Sequence, residues 1–450
     1  MGRKGGFSVN LVLNVLLAAA IALALWGFAA DVDNTLDYGG VDLRNRVVGA
    51  RVMLEDQDPY YYKWSEGQPY TLLDPIDNLE NPVSRITVTP TALMLHAPFA
   101  CIPYRAQRIA WLVGQWLLLL ASILLFASRA DSGIKRKIIW IIGLFFSATY
   151  IWRFHVERGQ MYILYVFLIA LSFWVADGSS RYSGFVGGVV LGIAVSLRPT
   201  LVVMAIPILI YRKWSLVLGV VAGMVIFVSL SLAVFGLPAW RSYASAMRYH
   251  QKPNLGEAIM ESFDHHDVTI EGMDNIDDYL PFPNVNTSLQ YTFRRAFDVK
   301  VSSTAFLVAL FLITLLMSVY LLRYREARLS LSAIFVIGST MMLVADFFLP
   351  AIKAYYSDIM WLVPLAFVII EGDKLLSVSR IIIGTCLFLL VTGLFLSFSV
   401  LWAGYDVLLG EWCIILFLIV VSWFLPRSYR GATGPDSEVS GYGLETSGGP

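Results

Sequence analysis

The sequence has few charged residues and almost no cysteine. Charged residues make up 15% of the 450 positions, and the three cysteines follow no metal-binding spacing. A water-soluble domain of this length carries more charge, so that class is excluded, and the scarcity of cysteine excludes a disulfide framework or a cysteine-based metal site. The 33 basic residues equal the 33 acidic ones. No overall positive field therefore points to nucleic acid as a partner.

Apolar residues take the place of the missing charge. They form 57% of the chain, and a mean hydropathy of +0.67 places the protein in a bilayer. Because unpaired backbone is not tolerated in lipid, the long apolar runs predict an all-α polytopic membrane protein with about twelve transmembrane helices. The runs cover residues 8–30, 107–128, 137–152, 160–176, 184–197, 199–211, 215–236, 302–322, 329–349, 356–370, 381–403 and 411–425.

Basic residues gather in alternate connections between these runs. Residues 135–137, Arg212 and Arg323 are examples. Because cytoplasmic loops are enriched in Lys and Arg, this alternation predicts a multi-pass protein of the plasma (inner) membrane with both termini in the cytoplasm. The sequence has no internal repeat, which argues against a transporter built from inverted repeats.

Two of the outside segments, 31–106 and 237–300, are too long to be simple connectors. Both mix acidic, aromatic and proline-rich stretches, and we expect short amphipathic helices in them, lying on the membrane surface. Long structured loops on one face usually carry function. Residues 1–430 are predicted to form one transmembrane domain, and the Gly- and Ser-rich tail at 431–450 a disordered cytoplasmic segment.

A group of carboxylates follows directly after the first apolar run. A sugar hydroxyl is a poor nucleophile at neutral pH, so a glycosyl-transferring enzyme needs a carboxylate within hydrogen-bond reach to take its proton. One aspartate is enough for this chemistry, and the other acidic residues can simply solvate the surface. The group comprises Asp31, Asp33, Asp37, Asp42, Glu55, Asp56 and Asp58.

Arg198 interrupts an otherwise apolar stretch and is followed by Pro199. A guanidinium at the end of a broken helix needs a counter-charge, and phosphate matches its forked donors best. The alternative is an interfacial arginine that reaches water. His155, Arg158 and Lys353 are expected near the same outside face. Together these groups could bind an anionic headgroup.

One further cluster has metal-ligand chemistry: Asp264, His265, His266 and Asp267. Adjacent histidines on a helix point about 100° apart and do not converge on one ion. We therefore predict no metal site, and no motif in the sequence calls for a cofactor.

Short motifs spread over nearly the whole chain carry a family resemblance. They are Val41-Asp42-Leu43, Asp58-Pro59-Tyr60, Thr89-Pro90, Ala97-Pro98, Arg158-Gly159-Gln160, Ser196 to Thr200, Asn286-Thr287-Ser288-Leu289 with Arg294-Arg295, and Pro350 to Pro364. In this order they resemble the glycosyltransferases of family 87. That family has the GT-C fold and includes polyprenol-phosphate-mannose-dependent mannosyltransferases.

The resemblance implies an inverting transfer of a single sugar, mannose or a related one, without a cofactor. The donor would be a polyprenyl-phosphate-linked sugar, and the acceptor a lipid or glycan that is reached, among membrane lipids, from the extracytoplasmic face. Asp42 is the implied catalytic base, with Asp37 as the second choice. Where many relatives carry His in the late turn, this chain has Tyr355 and Tyr356, which leaves the identity of the sugar open.

The remaining implied site residues fall into two sets. The donor phosphate is expected to contact Arg198, Arg158 and Lys353. The substrates are expected to contact Gln160, Asn286, Tyr355, Tyr356 and His155.

Two other functions share some of these features. A transporter or flippase for a lipid-linked glycan would use the same helices and cations, but it would place charges along a midplane path. An oligosaccharide ligase of the O-antigen type would depend on arginine and histidine in a late loop, for which Arg241, Arg248, His250 and Arg294 are available. The gathering of carboxylates after the first helix favours the single-sugar transferase.

Overall fold

The computed structural model describes residues 4–37, 40–252, 286–376, 379–398 and 405–431. Within these residues the chain is a succession of α- and 3-10 helices, and strand-like pairing is limited to a bridge between Asn286 and Ala354. The predicted all-α polytopic class is therefore confirmed. The cluster at Asp264, His265, His266 and Asp267 and the tail at 432–450 lie outside the described residues.

Seven described helices are long and apolar enough to cross a bilayer, and a bent pair brings the number to eight. The pair is α5 (Gly133–Phe146) and α6 (Tyr150–Glu157), which bend by 58° at the break between them. The seven are α1 (Lys4–Asp37), α4 (Tyr104–Ser128), α10 (Trp214–Tyr249), α12 (Ser303–Arg323), α13 (Leu331–Phe348), α16 (Arg380–Phe398) and α17 (Tyr405–Gly431).

The other apolar segments are helical but shorter. Within the described residues every predicted apolar run coincides mainly with helix, yet these shorter segments do not reach the roughly 20 residues that cross a bilayer without help. The predicted number of about twelve spans is therefore not confirmed. The short segments are α7 (Tyr162–Ala176), α8 (Ser183–Leu197), the 3-10 turn Pro199–Met204 with α9 (Ala205–Ile210), and the 3-10 turn Tyr355–Trp361 with α14 (Leu362–Ile370).

Glycine allows the closest helix contact in the middle of the chain. Gly188 and Gly192 of α8 face Gly219 and Gly223 of α10, and a Cβ added at Gly188 would lie 2.2 Å from the carbonyl oxygen of Leu216. Small residues let helix backbones approach where lipid supplies no hydrophobic drive. The packing is centred on α13, since 89% of its apolar span is buried inside the protein.

Both long segments that were predicted to lie outside contain short helices, but the first of these helices is largely buried in the protein instead of lying on a surface, since eleven of its residues are buried. In the first, α2 (Val41–Leu54) and α3 (Pro90–His96) flank irregular chain, where the Tyr60 hydroxyl donates to the Val88 carbonyl at 2.9 Å. In the second, α10 continues to Tyr249 through a bend at Gly236, and α11 (Leu289–Phe297) precedes α12. The side of the membrane on which they lie stays a prediction.

Asp31 belongs to the packed interior, and the sequence analysis was wrong to group it with the loop carboxylates. Its Oδ2 accepts hydrogen bonds from the indole Nε1 of Trp116 at 3.0 Å and of Trp152 at 2.8 Å. Only 1% of the residue is exposed. Buried polar atoms are normally paired in this way, so the carboxylate joins α1 to α4 and α6. Fewer carboxylates than expected remain at the surface.

Candidate active site

Asp42 stands at the start of α2, where the helix leaves backbone donors without partners. Gly40 adopts the left-handed conformation with φ 62° and turns the chain into the helix. The first N–H groups of any helix lack intrahelical acceptors. Here the amides of Asp42 and Leu43 donate to the carbonyl oxygen of Arg158 at 3.1 and 3.2 Å. The main chain at Arg158 thus fixes the helix end that carries Asp42.

The Arg158-Gly159-Gln160 turn fits this helix end because its middle residue has no side chain. Gly159 has φ 68°, and a Cβ added there would lie 2.6 Å from the Cβ of Leu43. A side chain would be strained and would also clash. The turn brings Gln160 close enough for its Nε2 to donate to Oδ2 of Asp42. This contact gives a physical reason for a motif that the sequence showed only as a resemblance.

Two arginines approach the Asp42 carboxylate. Nη2 of Arg85 lies 3.4 Å from Oδ1, and Nη1 of Arg158 lies 3.7 Å from the same atom. Tight charge-assisted bonds are about 2.7–2.9 Å long, so both contacts are loose. The Asp42 side chain keeps 17% of its exposure. A carboxylate in this setting is held in place and still reachable by a ligand. The sequence analysis named Arg158 but missed Arg85.

Arg46 is buried behind the turn, with 3% of its surface exposed. It donates to the Gly159 carbonyl oxygen and, at 3.5 Å, to Oε1 of Gln160. Burial lowers the pKa of Arg46, and the negative charge of Asp42 acts against that shift. The sequence analysis also missed Arg46, although residues four apart on a helix share one face, as Asp42 and Arg46 do.

Arg198 has a carboxylate partner within the protein. Its Nη2 donates to Oδ2 of Asp346 at 2.9 Å, and its Nε donates to the Thr200 hydroxyl at 3.1 Å. The guanidinium also lies 4.5 Å from the centre of the Tyr162 ring. The counter-charge that the sequence analysis assigned to a ligand is therefore supplied by Asp346 of α13.

Aromatic rings surround Arg198. The ring centre of Tyr162 lies 5.6 Å from that of Tyr356. Arg198, Tyr162 and Tyr356 thus form one packed group. Tyr356 also packs against Phe154 at 5.3 Å.

Lys353 is in a closed network, so its contacts argue against the expected role at the donor phosphate. Its Nζ donates to Asp358 at 2.8 Å, to Glu411 at 3.0 Å and to the Thr287 hydroxyl at 3.3 Å. An ammonium has three hydrogens, and these acceptors use all three. Burial acts to lower the pKa of Lys353, but Asp358 and Glu411 outweigh it, and the pKa is raised. We interpret Lys353 as a structural cation.

Three other expected substrate contacts also have structural partners. Oδ1 of Asn286 accepts from the amides of Ser288 at 3.0 Å and Lys353 at 3.2 Å, which fixes the late turn. Tyr355 stacks on Phe154 with ring centres 5.3 Å apart. His155 is fully buried, and its Nε2 accepts from an amide of α7 at 3.3 Å. Asn286, Tyr355 and His155 thus shape the interior, while Gln160 contacts Asp42.

The second-choice base, Asp37, is the last residue of α1 and is exposed. Among the described residues it forms no ion pair, in contrast to Asp42. The two aspartates therefore differ in how firmly they are positioned, although they are only five residues apart.

The fold and the site together define the class: a polytopic, all-α membrane protein that holds a partly exposed aspartate between arginines, at the start of a largely buried helix. A sequence model of glycosyltransferase family 87 matches residues 87–346, more than half of the chain. The protein belongs to glycosyltransferase family 87 and is a membrane glycosyltransferase. The match includes Arg158, Gln160 and Arg198 and begins after Asp42. No curated protein matches the sequence.

Proposed function

We propose that the protein transfers a single sugar from a polyprenyl-phosphate donor to a hydroxyl of a lipid or glycan acceptor, with inversion at the anomeric carbon. The observation that carries the proposal is the setting of Asp42, a reachable carboxylate fixed by main-chain bonds and approached by Arg85 and Arg158. Mannose or a related sugar is the proposed group, following the family resemblance.

In this scheme Asp42 is the general base. Its carboxylate takes the proton of the acceptor hydroxyl while that oxygen attacks the anomeric carbon, and the bond from this carbon to the phosphate oxygen breaks. The polyprenyl phosphate leaves with the electron pair. We choose Asp42 over Asp37 because a base must be held within hydrogen-bond reach of the proton it removes, and Asp37 lacks comparable contacts.

The departing phosphate gains negative charge, so fixed cations beside it lower the barrier. Arg158 is the proposed principal contact, and Arg85 replaces Lys353 as the second one, because both lie at Asp42 and Lys353 has no hydrogen left to donate. Arg198 is proposed to contribute through Nη1, since Nε and Nη2 are engaged by Thr200 and Asp346. The loose contacts of Arg85 and Arg158 allow them to exchange Asp42 for a phosphate.

The site is proposed to face away from the cytoplasm. Arg323 and the basic residues at 135–137 stand in connections that the positive-inside rule assigns to the cytoplasm. One long apolar helix, α4, separates the start of α2 from the basic residues at 135–137, so the start of α2 is proposed to lie on the other side. With both termini cytoplasmic, donor and acceptor meet at the extracytoplasmic surface of the plasma membrane.

Purified protein in lipid nanodiscs tests the proposal. It is incubated with radiolabelled polyprenyl-phosphate mannose, or the glucose equivalent, and octyl α-mannoside as acceptor. We expect a product that carries one added sugar. Asp42→Asn should lower turnover by roughly 10²–10⁴, the usual worth of a positioned base, and leave donor binding nearly unchanged.

Asp37→Asn is the matched control and should retain most of the activity. Undiminished transfer by Asp42→Asn would contradict the assignment of the base. Movement of labelled lipid across a vesicle membrane without a product would indicate a flippase. Transfer of a preassembled oligosaccharide, with no single-sugar transfer, would indicate a ligase.

A further inference from the structure

Arg46 carries a buried charge that no ion pair neutralises in the described part of the chain. It is the second arginine of α2 and is 3% exposed. Arg85 and Arg158, by contrast, both pair with Asp42. Arginine is almost never fully buried without such a partner, because its charge loses the solvation of water. Stability alone therefore does not explain why an arginine stands at this position.

The titratable groups coupled to Arg46 come from five elements. They are Asp42 on α2, His96 on α3, Tyr104 on α4, His155 on α6, Tyr165 on α7 and Tyr356 on the 3-10 turn that precedes α14. Burial lowers the pKa of His96 to about 3, so this side chain is neutral. His155 accepts an amide hydrogen at Nε2 and is not protonated there. The charged member of the group is therefore Asp42, which stands one helical turn before Arg46 on the same face.

The donors of Arg46 fix which way the Gln160 amide points. Arg46 donates to the Gly159 carbonyl oxygen and, at 3.5 Å, to Oε1 of Gln160. On its other side, Nε2 of Gln160 donates to Oδ2 of Asp42. A guanidinium can only donate hydrogen bonds, and an ionised carboxylate can only accept them. One orientation of the amide satisfies both partners, so Arg46 keeps the amide nitrogen turned toward Asp42.

Arg46 also differs from the other two arginines in how firmly it is held. The contacts of Arg85 and Arg158 with Asp42 are long, at 3.4 and 3.7 Å, and both arginines are proposed to exchange Asp42 for the donor phosphate. Arg46 is buried and bound to a main-chain carbonyl oxygen. Once the phosphate has taken the two loose arginines, Arg46 still favours the charged form of Asp42. A general base must be in that form to accept a proton.

We propose that Arg46 is a positioning residue of the transfer. It holds the nitrogen of the Gln160 amide against Asp42, and it supplies the fixed charge that keeps this carboxylate ionised while the donor phosphate is bound. Because it is buried, Arg46 touches neither substrate in this scheme. The inference rests on the proposed function, in which Asp42 is the base, and adds how that base is kept ready to accept a proton.

Carbodiimide labelling of the full-length protein in nanodiscs tests the coupling without any need for transfer. A carbodiimide modifies a carboxyl group in its protonated form, and mass spectrometry of the digested protein reports the modification of Asp42 by itself. Loss of a neighbouring positive charge favours protonation, so Arg46→Gln should raise the pH of half-maximal labelling by about one unit. The other groups that act on Asp42 are unchanged in this variant: Arg85, Arg158 and Tyr356.

Arg44→Gln is the matched control for this measurement. Arg44 lies in the same helix, is 2% exposed, and also donates to main-chain carbonyl oxygens, at 2.9 and 2.6 Å. The carboxylate that acts on it is Asp74 rather than Asp42. Arg44→Gln should therefore lower the Tm as Arg46→Gln does and leave the labelling midpoint of Asp42 unchanged. Equal midpoints for the two variants overturn the inference, even where single-sugar transfer is found.

The pH profile of single-sugar transfer separates a positioning role from a purely structural one. For Arg46→Gln, the acid side of the profile should move up by about one pH unit, and kcat should fall while the KM for the donor stays nearly constant. Arg46→Lys keeps a positive charge and should restore most of the activity on the acid side. A loss of the same factor at every pH would mean that Arg46 only supports the fold, and the inference would be wrong. A shifted labelling midpoint in a protein that transfers no sugar would instead contradict the proposed function.

Gln160→Leu tests the amide contact, and it decides where Arg46→Gln fails to fold. The substitution removes the amide between Arg46 and Asp42 and leaves both charges in place. Loss of one hydrogen bond to a charged group should lower kcat about tenfold and raise the labelling midpoint of Asp42. If Gln160→Leu protein were labelled and turned over substrate like wild type, Arg46 would not act through this amide, and the inference would be wrong.

Discussion

Gly159→Ala should displace the candidate base without touching it. The new Cβ would lie 2.6 Å from the Cβ of Leu43, whereas carbon atoms in contact are about 3.5–4.0 Å apart, so the two chains must separate by about 1 Å. The left-handed backbone at residue 159, φ 68°, costs a residue with a side chain about 1–2 kcal/mol. Overpacking adds about 1–3 kcal/mol. The amide bonds from Asp42 and Leu43 to the Arg158 carbonyl would lengthen or break.

Single-sugar transfer and thermal unfolding in nanodiscs measure the two consequences separately. A displacement of about 1 Å at a reacting group can lower turnover by about 10², so we expect a fall in kcat of that order together with a lower Tm. Gly114→Ala in α4 is the matched control, because a Cβ there meets no atom within 4 Å. If Gly159→Ala protein had the turnover and the Tm of wild type, the turn would not set the position of Asp42.

Three further predictions concern buried charge. Lys353→Met should lower the free energy of unfolding by about 3–5 kcal/mol, since it leaves Asp358 and Glu411 buried without their cation; an unchanged Tm would contradict the network. Asp31→Leu should destabilise by about 1–3 kcal/mol for each indole left unpaired, and Asp31→Asn, which keeps a carbonyl acceptor, by less; equal Tm values would refute this. Because the pKa of Asp77 is raised to about 6 in the folded state, the native protein binds more protons than the unfolded chain between about pH 4 and 6, and stability should fall as pH rises through that window. Asp77→Asn should remove this part of the pH dependence in thermal unfolding from pH 4 to 7.

The fold class could be predicted because a segment that crosses a bilayer must be a long run of apolar residues, and such runs are visible in the sequence. Long apolar runs allow only helices, and each predicted run coincides mainly with helix in the part of the chain that the structure describes. The number of spans was less predictable, because residues 133–211 form short helices that are separated by bends, among them those at 147–149 and at Pro199. Whether such a short segment crosses the bilayer depends on how neighbouring helices cover it. The hydropathy of the segment alone does not contain that information.

The candidate site was predictable only where a motif or a helical spacing pointed to it. Asp42, Arg158 and Gln160 were placed by the resemblance, and Arg46 could have been found from its spacing to Asp42. Ion-pair partners were harder to assign. Asp346 and Glu411 are acids inside apolar runs and could have been recognised as counter-charges. Tertiary packing across the bundle, however, decides that Asp346 pairs with Arg198 and Glu411 with Lys353.

Main-chain hydrogen bonds fix the start of α2: the amides of Asp42 and Leu43 donate to the carbonyl oxygen of Arg158, more than a hundred positions away in the chain. Backbone groups are present whatever side chains stand at these positions. Surrounding residues can therefore vary to suit a different sugar or a different acceptor while the aspartate stays where it is. A swap of the first 86 residues between relatives that keep the glycine turn should then preserve catalysis and change only selectivity.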